Sequence, residues 1–277
     1  MYAARERTGL ATSVSILLLA LVAVLGPGCE RFKRKHIPVE SLPELGYPQC
    51  AGIEPAPGRL LAEQHLRSGP AHTDKFIVER FSLRDQGCQQ TFRSRQEWPL
   101  GTTDFEVVYD EHLLPLRLWK RMTVPMLPDA GAKAELRRYE LRSDPVGIKR
   151  RAPGGAVSFE QLKGGRPVAV VGPGRGVLTM WLRRAKLREN QKVRELILDV
   201  RALEKIELVT LLREPDMVHP ELGKVRVYTF FGRETVFADE HDTVIGDLMG
   251  MRPHATLSTP EPPAIPTFGP IDPEHTP

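Results

Sequence analysis

Between Thr103 and Arg151 apolar and polar residues alternate at a period close to two, a pattern that fits an antiparallel sheet with one buried and one wet face. Phe105-Glu-Val-Val-Tyr109 alternates, Asp110-Glu-His112 is polar and turn-like, and Leu116-Arg-Leu-Trp-Lys-Arg-Met-Thr-Val124 alternates again. Leu136 to Arg142 and Val146 to Arg151 continue the meander across Ser143-Asp-Pro145. Trp119 and Tyr139 fall inside these strands, where they serve as core or cross-strand partners rather than as a ligand stack.

A second block runs from Val157 to about Met251. Pro167-Val-Ala-Val-Val171 reads as a buried strand, and Gly172-Pro-Gly-Arg-Gly176 breaks it as a β-turn before Val177. Arg194 to Val200 and Ile206 to Leu212 are β-favouring in composition. The charged, leucine-rich stretch from Ala185 to Arg213 also suits a helix, and periodicity leaves the choice open. Val225 to Phe231, Gly232-Arg-Glu234 and Thr235 to Phe237 form a hairpin, and Asp247-Leu-Met-Gly250 a short helical turn. Earlier in the chain, Arg59 to Leu66 has helical apolar spacing, and Lys75 to Leu83 suits strand or helix. The fold class expected is α+β and β-rich, with antiparallel meander sheets, a few short helices and an N-terminal apolar leader helix.

That leader is the most specific segment for compartment. Arg5 and Arg7 precede an uncharged run from Ala11 to Leu25, and Gly26-Pro-Gly28 breaks it directly before Cys29. Cationic start, apolar centre and Gly28-Cys29 together resemble a bacterial lipoprotein precursor. The resemblance implies cleavage before Cys29, lipid on that residue, and a site on the exported side of a cell-envelope membrane. Gly26 and Gly28 also have the spacing an ordinary signal peptidase uses, which would release a soluble protein. An uncleaved single-pass anchor is a third reading, with Arg31, Lys33, Arg34 and Lys35 pulling the body to the cytoplasmic side.

The division expected is a signal peptide at 1–28, a tether at 29–49, a β-rich body at 50–252 and a proline-rich tail at 253–277. The body is one unit or two lobes, 50–152 and 153–252. The basic residues 31–36 lie where a lipid anchor would gain from a second, electrostatic membrane signal. With Cys29 acylated, Cys50 and Cys88 remain as an even pair. Joined in an oxidising compartment, they would close a loop worth about 4 kcal/mol.

The net charge of +4 accompanies a strong skew to arginine, with Asn190 the sole asparagine. Such a skew follows codon usage, so the basicity does not imply nucleic-acid binding. No metal, cofactor or catalytic set is indicated. Gly172-x-Gly174-x-Gly176 lacks the Lys-Ser/Thr that closes a P-loop and does not match GxGxxG, and Pro173 removes an amide. Arg175 at its tip is expected as an exposed cation available to an anionic ligand. Asp239-Glu-His-Asp242 and the pair Asp216/His219 lack metal-ligand spacing, and no GxSxG occurs. The function expected is a lipid-anchored envelope protein that binds, carries or scaffolds something apolar or anionic without catalysis. The tail is available to a protein partner, and an exported hydrolase is the alternative.

Overall fold

A computed structural model describes residues 58–68, 76–125, 132–201 and 204–254. The leader, the tether and the tail from residue 255 lie outside them, and with them Cys29, Arg31, Lys33, Arg34, Lys35 and Cys50.

The described residues are strand-rich and almost wholly antiparallel. Eight consecutive strands form a meander: β1 (Arg59–Ser68), β2 (Ile77–Asp85), β3 (Gln89–Trp98), β4 (Gly101–Asp110), β5 (Pro115–Pro125), β6 (Ala132–Ser143), β7 (Val146–Arg151) and β8 (Val157–Gln161). A short strand from the far end of the chain, β16 (Arg252–Pro253), pairs with β1 and completes a nine-stranded sheet.

The second sheet follows from β9 (Ala169–Val171), β10 (Lys192–Asp199), β11 (Lys205–Arg213), β13 (Gly223–Phe230), β14 (Glu234–Ala238) and β15 (Val244–Asp247). Its path is β15-β14-β13-β11-β10-β9, and β12 (Met217–His219) pairs with β13 to one side. The β9–β10 pair is parallel, because helix α1 (Leu178–Ala185) carries the chain across between them.

Alternation along the strands sends Phe81, Phe92, Phe105, Leu118, Tyr139 and Ile148 of the first sheet into one cluster with Val170, Leu198, Leu211, Tyr228 and Val236 of the second. Each such side chain contributes about 1.5–3 kcal/mol on burial. Odd-numbered residues of β13 point the other way, and Val225 and Val227 join Phe237 in a small separate cluster.

Several elements differ from expectation. Arg59 to Leu66 is strand β1, not helix. Leu66 is wholly buried opposite Glu79 and Leu61 packs against the same core, whereas Leu60 is 45% exposed beside an irregularity in the β1–β2 register; strand pairing overrides helical propensity. Helix α1 arises where the segment after the glycines gave no helical signal. Leu178 to Leu182 are all buried, so the helix has no polar stripe over those positions to reveal its period. It stops as Lys186 turns left-handed and donates its N–H to the Leu182 carbonyl, with Arg183 and Arg184 against the negative end of the dipole. The segment after β15 is a β-turn rather than a helical one. Gly250 N–H reaches the Asp247 carbonyl at 3.3 Å, and the Asp247 carboxylate takes the Met251 N–H at 2.9 Å. Among the described residues α1 is the one helix, where several short ones were expected.

Candidate functional site

Gly172 to Gly176 is a strand-to-helix connection pressed against the first sheet, not a β-turn between strands. A Cβ at Gly172 would lie 2.6 Å from the Phe105 ring, one at Gly174 2.1 Å from Glu79 Oε1, and one at Gly176 2.2 Å from the Phe81 ring. None of the three glycines has a positive φ, so space alone requires them. Glu79 is wholly buried on β2. Its Oε2 accepts the Arg175 N–H at 2.6 Å and its Oε1 accepts the Gly176 N–H at 2.9 Å. Amides of the kind that could cradle a phosphate are therefore occupied by the protein's own carboxylate. Burial pushes Glu79 up to about 7, against the pull of those two hydrogen bonds and of the Arg175 charge.

Arg175 is not the exposed cation expected. Its guanidinium is committed to Glu234 at 2.7 Å and Asp247 at 3.1 Å, because the connection runs between the sheets rather than over the surface. Glu234 also accepts two hydrogen bonds from Arg201, which grips Asp199 as well. Burial raises the Glu234 carboxyl, but the two arginines outweigh it and hold the group below its usual range. A second inter-sheet knot forms at Glu204, which receives Tyr139, Arg137 at 2.9 Å and Arg150 at 3.1 Å from the first sheet. Burial opposes ionisation of Glu204 and these donors overcome it. Glu204→Ala should lower stability by about 2 kcal/mol in urea unfolding, since three donors lose a charged acceptor. A loss near zero would mean that the knot behaves as a surface cluster.

The first sheet's other face turns away from the second sheet and is largely polar. Cross-strand register builds it in rows. One row runs Glu63, Ser82, Arg93, Glu106, Trp119, Arg138, Arg151. Within it Glu106 is held by Arg93 at 2.6 Å and by the Trp119 indole at 3.0 Å. The adjacent row runs His65, Arg80, Arg95, Asp104, Arg121. Here Arg121 takes Asp104 with two donors, at 2.8 and 3.1 Å, while Arg95 stands 3.8 Å from it. Arg80 has His65 on one side and Arg95 on the other, and neither neighbour is a carboxylate. His65 stacks on His254 with ring centroids 4.9 Å apart. Its pKa is lowered by burial, then by the Arg80 charge and His254.

The histidines singled out by sequence are dispersed. His219 Nδ1 accepts the Glu221 and Leu222 amides, and its Nε2 meets Arg252 at 3.1 Å. His241 is exposed on the β14–β15 connection, where Asp239 accepts the backbone N–H groups of residues 241 and 243. Asp242 is bound by Arg226 and Tyr228, and Asp216 by Arg213. Among the described residues no group of three His, Cys, Asp or Glu is placed to hold a metal. Cys88 lies in the β2–β3 connection, and its expected partner Cys50 is outside the described residues.

Glu79 and the His65–Arg80–Arg95 row were not identified from sequence. One signal was present: Ile77-Val-Glu-Arg-Phe81 puts two adjacent charges inside an apolar run. On a strand they must point to opposite faces, so one of them enters the core.

No family model matches the chain, and no curated protein matches it. Among solved structures it is similar to the crystal structure of a DUF1089 family protein from Pseudomonas aeruginosa. The identity is 13%, the TM-score 0.39, and the match covers 61% of this chain and 88% of that one. At that level of similarity nothing is carried across from it.

Proposed function

We propose that this protein is an exported, lipid-anchored component of the cell envelope whose strand-rich body binds an anionic group without catalysing a reaction on it. The observation that carries the binding role is the arginine-rich face of the nine-stranded sheet that turns away from the second sheet, where Arg80 and Arg95 lie directly opposite each other. The positions of the histidines favour binding over hydrolysis, since His219 is engaged by Arg252 and His241 stands exposed on a connection.

In this reading Cys29 carries the lipid, Arg31, Lys33, Arg34 and Lys35 add attraction to anionic head groups, and the Cys50–Cys88 pair is oxidised. In the same reading the proline-rich tail, 253–277, is the segment that a protein partner would bind.

The anchor is tested by intact mass of the membrane-extracted protein beside a Cys29→Ala variant. The wild type should begin at residue 29 with added acyl mass, and the variant should keep its leader. A full-length, unacylated wild-type N-terminus overturns the anchor. In the same sample, thiols at 50 and 88 should react only after reduction. Free reaction of both beforehand removes the disulfide.

A further inference from the structure

We propose that the cross-strand row His65–Arg80–Arg95 is a binding site for a phosphate group. The proposal rests on the anion-binding reading for its choice of face and is independent of the lipid anchor.

The three residues sit directly opposite one another on β1, β2 and β3, with about 4.8 Å between neighbouring strands. Like charges directly opposite across a pair are destabilising. Relief is uneven: Glu97 and Asp104 each lie 3.8 Å from Arg95, although Asp104 is also held by Arg121, whereas Arg80 has no carboxylate directly opposite it on either side. Each of the three side chains also buries a nitrogen that has no hydrogen-bond partner: Nε2 of His65, Nε of Arg80 and Nε of Arg95. Buried donors normally find an acceptor. Orphaned Nε atoms occur singly at Arg184 and Arg213 too, but among the described residues only in this row do two stand on neighbouring strands beside an imidazole nitrogen, which points to an acceptor supplied from outside.

The donor set selects among anions. A carboxylate can also bridge two arginines, as Glu234 does, but it offers only two coplanar oxygens and a single charge. Two forks on neighbouring strands with an imidazole beside them match a tetrahedral group with three or more accepting oxygens and up to two charges. A phosphate group meets that demand, whether on a soluble organic phosphate or on a lipid head group.

The test uses the full chain in neutral detergent at low ionic strength, with inorganic phosphate as the probe and Tm in matched chloride as the baseline. Phosphate should raise the wild-type Tm in a saturable way. Arg80→Gln and Arg95→Gln should each weaken phosphate about tenfold, while Arg117→Gln, elsewhere on the same face, should change it less than about twofold. In chloride, Arg80→Gln should fold as well as wild type or better, because it removes the like-charge pair. Arg80→Lys keeps the charge without the fork and should recover only part of the affinity. Phosphate should also raise the pKa of His65 read by NMR. A titration flat to about 10 mM phosphate, or an equal loss in all three glutamine variants, overturns the site; the latter would signal only diffuse attraction.

Vesicles containing phosphatidic acid distinguish the two sources. Because the anchor captures the protein on any vesicle, the quantity read is the salt-sensitive excess of capture on phosphatidic acid over phosphatidylcholine. Its loss in Arg80→Gln identifies a head group, and an unchanged excess alongside lost phosphate binding identifies a soluble ligand. Cys29→Ala protein should bind phosphate as wild type does, so failure of the anchor and failure of this site are separable.

Discussion

Gly174→Ala should lower stability by about 3 kcal/mol or more, a large loss for a single added methyl. The new Cβ would sit 2.1 Å from Glu79 Oε1, far inside contact distance. Glu79 cannot swing into solvent, because it is wholly buried and its two oxygens hold the Arg175 and Gly176 amides. Either the carboxylate leaves those amides or the connection shifts away from β2. The second outcome would disturb Gly172 against Phe105 and Gly176 against Phe81 as well. Urea unfolding of Gly174→Ala, Glu79→Ala and the double variant measures the coupling. The double variant should cost about 1–2 kcal/mol less than the summed singles, since the second substitution removes the atom the first collides with. Simple additivity, or a Gly174→Ala cost within about 0.5 kcal/mol of zero, would show that the seam is not packed in this way.

Glu79 should also impose a pH dependence opposite in sign to that of the ion-paired carboxylates Glu204 and Glu234. Its pKa is raised from 4.5 in the unfolded chain to about 7 in the fold. Between those values the folded protein holds a proton that the unfolded chain has released. The stability tied to this proton is full below pH 4.5 and is lost as pH rises through 7, by about 3 kcal/mol. Glu204 and Glu234 have lowered folded values, so their contributions are present above 4.5 and are lost as pH falls through those lowered values. His65, also lowered, contributes above 6.5 and loses that contribution as pH falls.

Glu79→Gln removes one of these titrations and leaves the others in place. It also sets an amide nitrogen against one backbone N–H, a cost of about 1–3 kcal/mol that does not vary with pH. The stability advantage of wild type over this variant should therefore shrink by about 3 kcal/mol between pH 4.5 and 8. A difference curve without slope over that window would mean that Glu79 does not titrate there.

The contrast between Glu79 and Arg80 shows where sequence reading stops. Both are charged, they are adjacent, and both lie in a strand that could be anticipated. Which of them entered the core depended on which face of β2 met the second sheet, and that was set by packing against Gly172 to Gly176, almost a hundred residues away. Arg175 failed as an exposed cation for the same reason. As a turn between strands its tip would be wet; as a connection between sheets its charge needed Glu234 and Asp247.

What the amino-acid sequence determined by itself is local. Alternation at a period of two dictated the meander from β4 to β7 and the β13–β14 hairpin, because side chains on a strand point to opposite faces whatever they meet. The tertiary structure decided the rest. It made a strand of Arg59–Ser68, whose composition suits a helix, and a helix of Leu178–Ala185, whose buried run from Leu178 to Leu182 hides its period. It also aligned His65, Arg80 and Arg95 across three strands. Register is a property of pairs of strands, so no single segment could carry that row in its own pattern.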